Sequence, residues 1–373
     1  MDIVQINTKN RKQVKQFLNF PYRLYKDVPQ WVPPLSSDAQ MLLNEKKNPF
    51  YQQGKAAFFL AQSHQRTVGR LAVLNNHRFN QYNQQNCAFF YLFESENDQN
   101  MVEELFEAGI RWVRSQQLDM LIGPRGFNVF DGIGMLVKGF EYRPAFGLPY
   151  NLPYYPELLE NIGFTVKGET ISGYLDGKMI FPEKVHQVAE LLKKRRGLHV
   201  AQFKSKRDLK AMIPHLKNLY NQALQGTPDN VPISDFEVDL FAKQMLWFAD
   251  INLIKIVMKG EEPVGFLFAY PDISAAVQKT KGKVLPFGWI QLLLELRKTN
   301  WININGAGMI EGYRGLGGTA LLFSEMYKSV AQSRYRFADI VQVGAENDKM
   351  LREMRDFGIN LYKVHRVYQR SIN

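Results

Sequence analysis

Two stretches of this chain repeat one design, and that repeat constrains the fold more than any other feature of the 373 residues. KAAFFLAQSHQRTVGRLAVL (55–74) and INLIKIVMKGEEPVGFLFAY (251–270) each run apolar at strand length and break at a polar turn. They reopen at Val68-Gly69 and at Val264-Gly265. Each reads as a β-hairpin. The ends match too: YYPELLENIGFTVKGETISGYL (154–175) and MLREMRDFGINLYKVHRVYQR (350–370) each offer a short amphipathic helix, a glycine where it stops, and a last strand with a tyrosine. Gly69 and Gly265 are 196 residues apart, Gly163 and Gly358 are 195, and Tyr174 and Tyr368 are 194. Three landmarks at offsets of 194–196 indicate two tandem copies of an α/β unit, 1–178 and 179–373.

The copies share a coarse order. Helical material precedes the hairpin, at 11–18 and 39–47 in one copy and at 183–196, 207–225 and 235–249 in the other. A third strand follows, AFFYLFES (88–95) or WININGAGMI (301–310), then a long amphipathic helix, 101–116 or 319–333, then a strand, DMLIG (119–123) or ADIVQVG (338–344). Strands flanking a crossover helix imply a parallel pair, so each copy is expected to form a mixed α+β sheet. Segment 124–150 is extra to the first copy and reads as a long, functional or mobile loop, with Arg125, Asn128 and Asp131 as its polar members over an acceptor pocket.

One cysteine, Cys87, excludes a disulfide scaffold and a thiolate metal site, and it reads as buried and inert. The six histidines show no metal-ligand spacing, so no metal is expected; His365, on the last strand, reads as cleft-facing or packed. The N-terminus MDIVQINTKNRK has no apolar signal core, and no uncharged run reaches the roughly 18 residues of a spanning helix, so a cytoplasmic location is expected. Forty-seven Lys and Arg against 36 Asp and Glu give +11, which favours an acidic partner: nucleic acid, a phosphorylated cofactor or an anionic membrane. The densest basic run, Lys193-Lys194-Arg195-Arg196, reads as a solvated helix end.

The second copy holds the sharpest motif. Between strand 301–310 and the following helix stands Glu311-Gly312-Tyr313-Arg314-Gly315-Leu316-Gly317-Gly318-Thr319. A helix N-terminus offers unpaired N–H groups and a partial positive charge. Glycines let amides close around phosphate oxygens, and Arg314 adds charge, so the loop reads as a pyrophosphate cradle. It lacks the Gly-Lys-Ser/Thr ending of a Walker A loop, and Gly315-x-Gly317-Gly318 does not fit the dinucleotide spacing. The first copy runs instead into Glu96-Asn97-Asp98, where acids would repel a pyrophosphate.

Arg314-x-x-Gly317-x-Thr319, between a strand and a helix, resembles the acyl-CoA loop of the GNAT N-acyltransferase superfamily, with Thr319 in place of the last Gly or Ala. Glu346-Asn347, helix 348–356, Phe357-Gly358 and the final strand to Tyr368 resemble the close of a GNAT domain. Over the whole chain FPYRLYKDVPQWVPPL (20–35), VGRLAVLNNH (68–77), YNLPYYPELLENIGF (150–164) and the terminal segment resemble tandem GNAT-like bacterial proteins, and more distantly the bacterial ceramide synthases, which acylate a long-chain amine.

The resemblance implies two tandem GNAT-like domains and direct attack of an amine on an acyl-CoA thioester, with acetyl-CoA or a longer acyl-CoA as co-substrate. It places Ala307, Met309 and Ile310 along pantetheine, Arg314, Gly315, Leu316, Gly317, Gly318 and Thr319 at the pyrophosphate, and Asn347 beside the pantetheine arm. Glu346 is the expected base, though it reads equally as a helix-capping or salt-bridged carboxylate; Glu311 is the second choice. The family's usual acid, a tyrosine, is replaced by Met354, leaving Tyr313, Tyr362 or a water, and Met354 itself reads most simply as a core methionine. The expected partners are a small-molecule or lipid amine, an acyl carrier protein in place of CoA, and a peripheral membrane contact, with no specific nucleic acid. A GNAT-like protein that binds acyl-CoA or lipid without turnover, and more remotely a nucleic-acid binder, stay open at this level.

Overall fold

A computed structural model of the chain describes residues 1–177 and 180–372; the side chains of Phe241, Lys243, Gln244 and Met245 fall outside that description. The expected boundary between the copies, 178/179, lies outside the described residues as well.

The first half runs β1 (Asp2–Gln5), α1 (Arg11–Leu24), α2 (Ser36–Leu42), β2 (Gly54–Ser63), β3 (Arg66–Asn76), α3 (His77–Asn83), β4 (Cys87–Ser95), α4 (Gln99–Ser115), β5 (Met120–Gly123), β6 (Met135–Lys138), α5 (Tyr155–Asn161) and β7 (Thr165–Asp176). The second runs α6 (Glu183–Arg196), β8 (Leu198–Val200), α7 (Lys206–Ala223), α8 (Asp235–Phe248), β9 (Ile254–Lys259), β10 (Glu262–Pro271), α9 (Ser274–Thr280), α10 (Gly288–Lys298), β11 (Trp301–Met309), α11 (Gly318–Ala331), β12 (Phe337–Gly344), α12 (Asp348–Asp356) and β13 (Asn360–Ser371). The basic run at 193–196 closes α6, where cations meet the negative end of the helix. Part of the expected loop 124–150 is strand β6, and α9 and α10 fill a segment to which the sequence assigned no element.

Both expected hairpins form, β2–β3 and β9–β10. Gly69 and Gly265 occupy their places for the same reason: a Cβ on Gly69 would sit 2.7 Å from the Met101 sulfur, and one on Gly265 would collide with the Met309 sulfur. In the first half the approaching methionine is on helix α4; in the second it is on β11, with the start of α11 packed on its other side at Gly318. Asp98 caps α4 by accepting from the Met101 amide, and Met101, Val102, Leu105 and Phe106 are buried against Ala57, Phe59, Leu71 and Val73. In α11, Leu321, Leu322, Phe323 and Met326 fill the matching core with Val257, Leu267, Ile302 and Ile304. Each such large side chain contributes about 1.5–3 kcal/mol of burial.

The strands join in one mixed sheet of order β1-β2-β3-β4-β5-β13-β7-β12-β11-β10-β9-β8, with β6 added on β13. The expected parallel pairs are β4–β5 and β11–β12. The last strands exchange places: β13 pairs with β5 of the first half, Tyr368 opposite Gly123, and β7 pairs with β12 of the second, Tyr174 opposite Asp339. The two run antiparallel to each other at the centre of the sheet. A buried polar network ties the halves there. Lys363 donates to the Asp339 carboxylate at 3.1 Å and to the Arg143 carbonyl at 2.9 Å, and Arg143 pairs with Asp272 at 3.3 Å.

Candidate functional site

β11 and β12 separate part-way along their length. They pair in parallel only from Trp301 opposite Phe337 to Ile304 opposite Ile340. Beyond that point β11 bulges at Gly306, whose φ is +103°, and stays with β10 alone. β12 bends at Gln342, a non-glycine residue at φ +47°, and stays with β7. The chain's right-handed bias makes each such bend sterically selective, and glycine meets it without a Cβ clash.

The gap opens onto a cavity of about 670 Å³. Asn305, Gly306 and Ala307 from β11 and Val341 and Gln342 from β12 form its strand wall. Leu216, Tyr220, Leu246 and Phe268 give an apolar wall from the second half. Val129, Asp131 and Ile133 from loop 124–134, with Leu35 and Asp38 from the start of α2, close it from the first half. The volume falls in the ligand-site range of about 300–1,000 Å³.

At the end of β11 lies the glycine loop. Gly315 and Gly317 both have positive φ, +72° and +91°, and Gly317 precedes α11, which starts without a side-chain cap. Its first-turn N–H groups have no intrahelical acceptor, as an anion cradle requires. A Cβ on Gly317 would lie 2.8 Å from Val188 Cγ1, so only glycine fits between the loop and α6. The ammonium of exposed Lys349, on α12, lies 3.3 Å from where a Cβ on Gly315 would stand. It brings a cation to the glycine loop that the motif did not announce.

The Arg314 guanidinium is occupied elsewhere. It donates to the carbonyls of Met309 at 3.1 Å, Ala223 at 2.8 Å and Gln225 at 3.3 Å, so it closes the C-terminal end of α7 against the loop. Among the other expected contact residues, Ala307 lines the cavity, and Met309 is buried against Gly265 and Gly318. The Ile310 amide donates to the Val264 carbonyl at 3.0 Å; Leu316 is half-buried. Thr319 hydrogen-bonds Glu353. Asn347 caps α12 by accepting from the Met350 amide at 3.1 Å. Tyr313 is half-buried against the second core, and Glu311 is exposed in the short turn before it. Glu346 is exposed, folds back over Gly344 and is not among the cavity-lining residues. Met354, where the resemblance expects a tyrosine, is a fully buried core residue against Gly173.

The cavity's own carboxyls come from the first half. Asp131 accepts from the amides of Phe127 at 2.6 Å and Asn128 at 3.0 Å, yet burial pushes its pKa up to about 6. Asp38 is raised by burial too, and its charge adds to the upward push on Asp131. Asp131 was visible in sequence as a polar member of the extra loop; Asp38, Lys349 and Gln342 carried no local signal. Among the described residues no group of three or more His, Cys, Asp or Glu is placed to hold a metal ion.

The first half has the same divergence, filled from within. β4 pairs with β5 only as far as Phe89 and bulges at Leu92, φ +51°. Ser95 stands opposite Gly69 as Met309 stands opposite Gly265. The Ser95 amide donates to the Tyr155 hydroxyl at 2.7 Å, and Tyr155 and Tyr25 donate to buried Glu94 at 2.9 and 2.5 Å. Glu96 pairs with Arg66 at 2.7 Å. Side chains of the half itself take the amide that a ligand would need.

No family model matches the chain. It is 24% identical to the bacterial ceramide synthase of Caulobacter vibrioides (strain NA1000 / CB15N), over 100% of this chain and 98% of that protein. It is 22% identical to protein YghO of Escherichia coli (strain K12), over 97% and 94%. Among solved structures, a tandem GNAT protein from the clavulanic acid biosynthesis pathway superposes with a TM-score of 0.57 at 11% identity, covering 100% of this chain and 98% of that one. A GCN5-related N-acetyltransferase from Sphaerobacter thermophilus gives 0.52 at 9% identity, over 100% and 96%. The chain has the fold of the tandem GNAT proteins.

Proposed function

We propose that this chain is an acyl-CoA-dependent N-acyltransferase whose second half holds the donor and whose apolar cavity accepts a long hydrocarbon chain. The observation that carries the reading is the divergence of β11 from β12, with the glycine cradle at the end of β11 and the 670 Å³ cavity between the strands. The cradle fits a pyrophosphate: it combines two positive-φ glycines, an uncapped helix start and the Lys349 ammonium. Burial of each methylene in such a cavity is worth about 0.8 kcal/mol, so an apolar wall of this extent favours a long acyl group or a lipid amine over an acetyl group. One relative that spans the whole chain, a bacterial ceramide synthase, supports a lipid substrate.

The reaction joins the amine nitrogen to the acyl carbon and breaks the carbon–sulfur bond, and CoA leaves as the thiol, carrying the proton that the attacking nitrogen sheds. The ammonium must first lose a proton, and a carboxyl poised near neutrality suits that step. Asp131, at the cavity with a pKa of about 6, is the group we assign to it; Glu346 stands outside the cavity. An N–H on the free edge of β11 would receive the developing oxyanion. Arg314 acts by position, holding the loop to α7.

The test is acyl transfer from acetyl-CoA and palmitoyl-CoA to a panel of amines that includes a sphingoid base. The proposal expects the long donor to be preferred and Asp131→Asn to lose turnover while still binding CoA. CoA binding with no product from any amine would leave a binding protein, and no CoA binding by the folded chain would defeat the reading.

A further inference from the structure

Between β10 and β11 the second half carries a helical pair, α9 and α10, where the first half has only α3 between β3 and β4. Its inner side is well seated. Ile273, Val277 and Leu292 pack with Val32, Leu35 and Phe146 of the first half, and the Ser36 amide donates to the Gly282 carbonyl at 2.8 Å. Its outer side is apolar and open. Leu285 is 78% exposed and Phe287 73%, and Trp289, Ile290, Leu293 and Leu294 of α10 are 40–43% exposed. On a helix, positions 289, 290, 293 and 294 share one face, and Arg297 and Lys298 extend it. A core-facing helix buries such a stripe; here the stripe points away from the core.

Charge surrounds the patch with one sign. Residues 279–298 hold Lys279, Lys281, Lys283, Arg297 and Lys298 against one acid, Glu295, which faces Lys279 at 3.6 Å. The patch also adjoins the cavity, because Val284 and Leu292 on its inner side line that space. No described helix is long and apolar enough to cross a membrane, so the contact is one of surface.

We infer that segment 281–298 docks the protein on an anionic phospholipid membrane, with Leu285, Phe287 and the outer face of α10 entering the headgroup region and the flanking lysines meeting lipid phosphates. Apolar insertion and basic residues act together in such contacts. The cavity wall formed by Val284 and Leu292 then lies directly behind the docked segment.

Vesicle sedimentation tests this without any acyl donor, so its outcome is separate from that of acyl transfer. Wild-type protein should pellet with vesicles of equal phosphatidylcholine and phosphatidylglycerol and far less with phosphatidylcholine alone. Phe287→Ser with Leu293→Ser and Leu294→Ser should lower partitioning at least about tenfold with circular dichroism unchanged. Lys281→Glu with Lys283→Glu, which leaves the apolar face intact, should do the same to about tenfold and abolish the preference for anionic lipid. Trp289 emission should shift to the blue on binding, a change absent in Trp289→Phe. Equal binding to both vesicle types, or wild-type pelleting by both variants, overturns the inference. So does a wild-type dimer that the triple variant converts to monomer with vesicle binding unchanged.

Discussion

Gln342 grips the backbone of Ile133 from both sides: its Oε1 accepts the Ile133 amide at 3.2 Å and its Nε2 donates to the Ile133 carbonyl. One side chain on the last parallel strand of the second half thereby fixes the extra loop of the first half. Asp131, two residues away on that loop, is brought to the cavity by this link. Removing it in Gln342→Ala should cost about 1–3 kcal/mol. Gln342→Gly should cost less than the alanine variant, because φ +47° suits glycine. Urea unfolding of the two variants gives the order, and hydrogen exchange should quicken at 126–134 in both.

Gly317 is held to one residue type by backbone and by space. At φ +91°, with a Cβ 2.8 Å from Val188 and 3.1 Å from Leu192, Gly317→Ala must displace α6 or the loop. We expect a loss of about 1–3 kcal/mol in stability. Ligand at 100 times its dissociation constant stabilises a native state by about 2.7 kcal/mol, and this gain should vanish in the variant. Thermal unfolding with and without CoA checks both.

Lys349 and Arg314 should separate in their effects. Lys349 is exposed beside the glycine loop and faces Glu353 one turn on, so Lys349→Gln should change unliganded unfolding by less than about 1 kcal/mol and weaken CoA binding about tenfold by calorimetry. Arg314→Ala strips three carbonyl contacts from the loop and from the end of α7, and should lower the stability of the unliganded protein.

His365 should make the protein acid-sensitive. It is fully buried, its Nε2 donates to the Pro149 carbonyl at 3.1 Å, and burial pulls its pKa down to about 4. Between about pH 6.5 and 4 the unfolded chain binds a proton that the folded state refuses, so stability is lost as pH falls through that window, to about 3 kcal/mol in full. Denaturation of His365→Gln at pH 7 and pH 4.5 should show a smaller loss than wild type.

Asp131 has the opposite sign. Its folded pKa of about 6 exceeds the unfolded value, so its contribution favours the fold at low pH and is lost as pH rises through 6. Asp131→Asn should therefore raise the unfolding temperature at pH 8, and leave it little changed at pH 4, while acyl transfer falls. A gain in stability with loss of turnover is the pattern of a strained functional group.

Much of the fold was legible along the chain. The hairpins, the crossover helices and the helix-ending glycines appeared where local pattern placed them, because apolar period and positive-φ sites are properties of a few consecutive residues. The glycine loop before α11 was legible for the same reason. The role of Arg314 was not: a cation beside a phosphate loop reads as a phosphate ligand, and only the end of α7 arriving nearby made it a clamp. Nor was the cavity's carboxyl pair, since Asp38 and Asp131 stand far apart in sequence and neither belongs to a motif. The pair α9 and α10 was missed because its most apolar face points outward, against the pattern that marks a core helix.

By itself the sequence determined two copies of one unit, the hairpins that reopen at Gly69 and Gly265, and a glycine-rich loop between strand and helix in one copy alone. Each rests on spacing and on what a residue can or cannot place at its own Cβ. Tertiary structure decided which partner each final strand took, and so which half supplied each wall of the cavity. A strand edge offers the same N–H and C=O groups to any neighbour, so the exchange of β7 and β13 is written in no local pattern. It is set by the packing of both halves together, and that packing brings the Asp131 carboxyl of one to the open strands of the other.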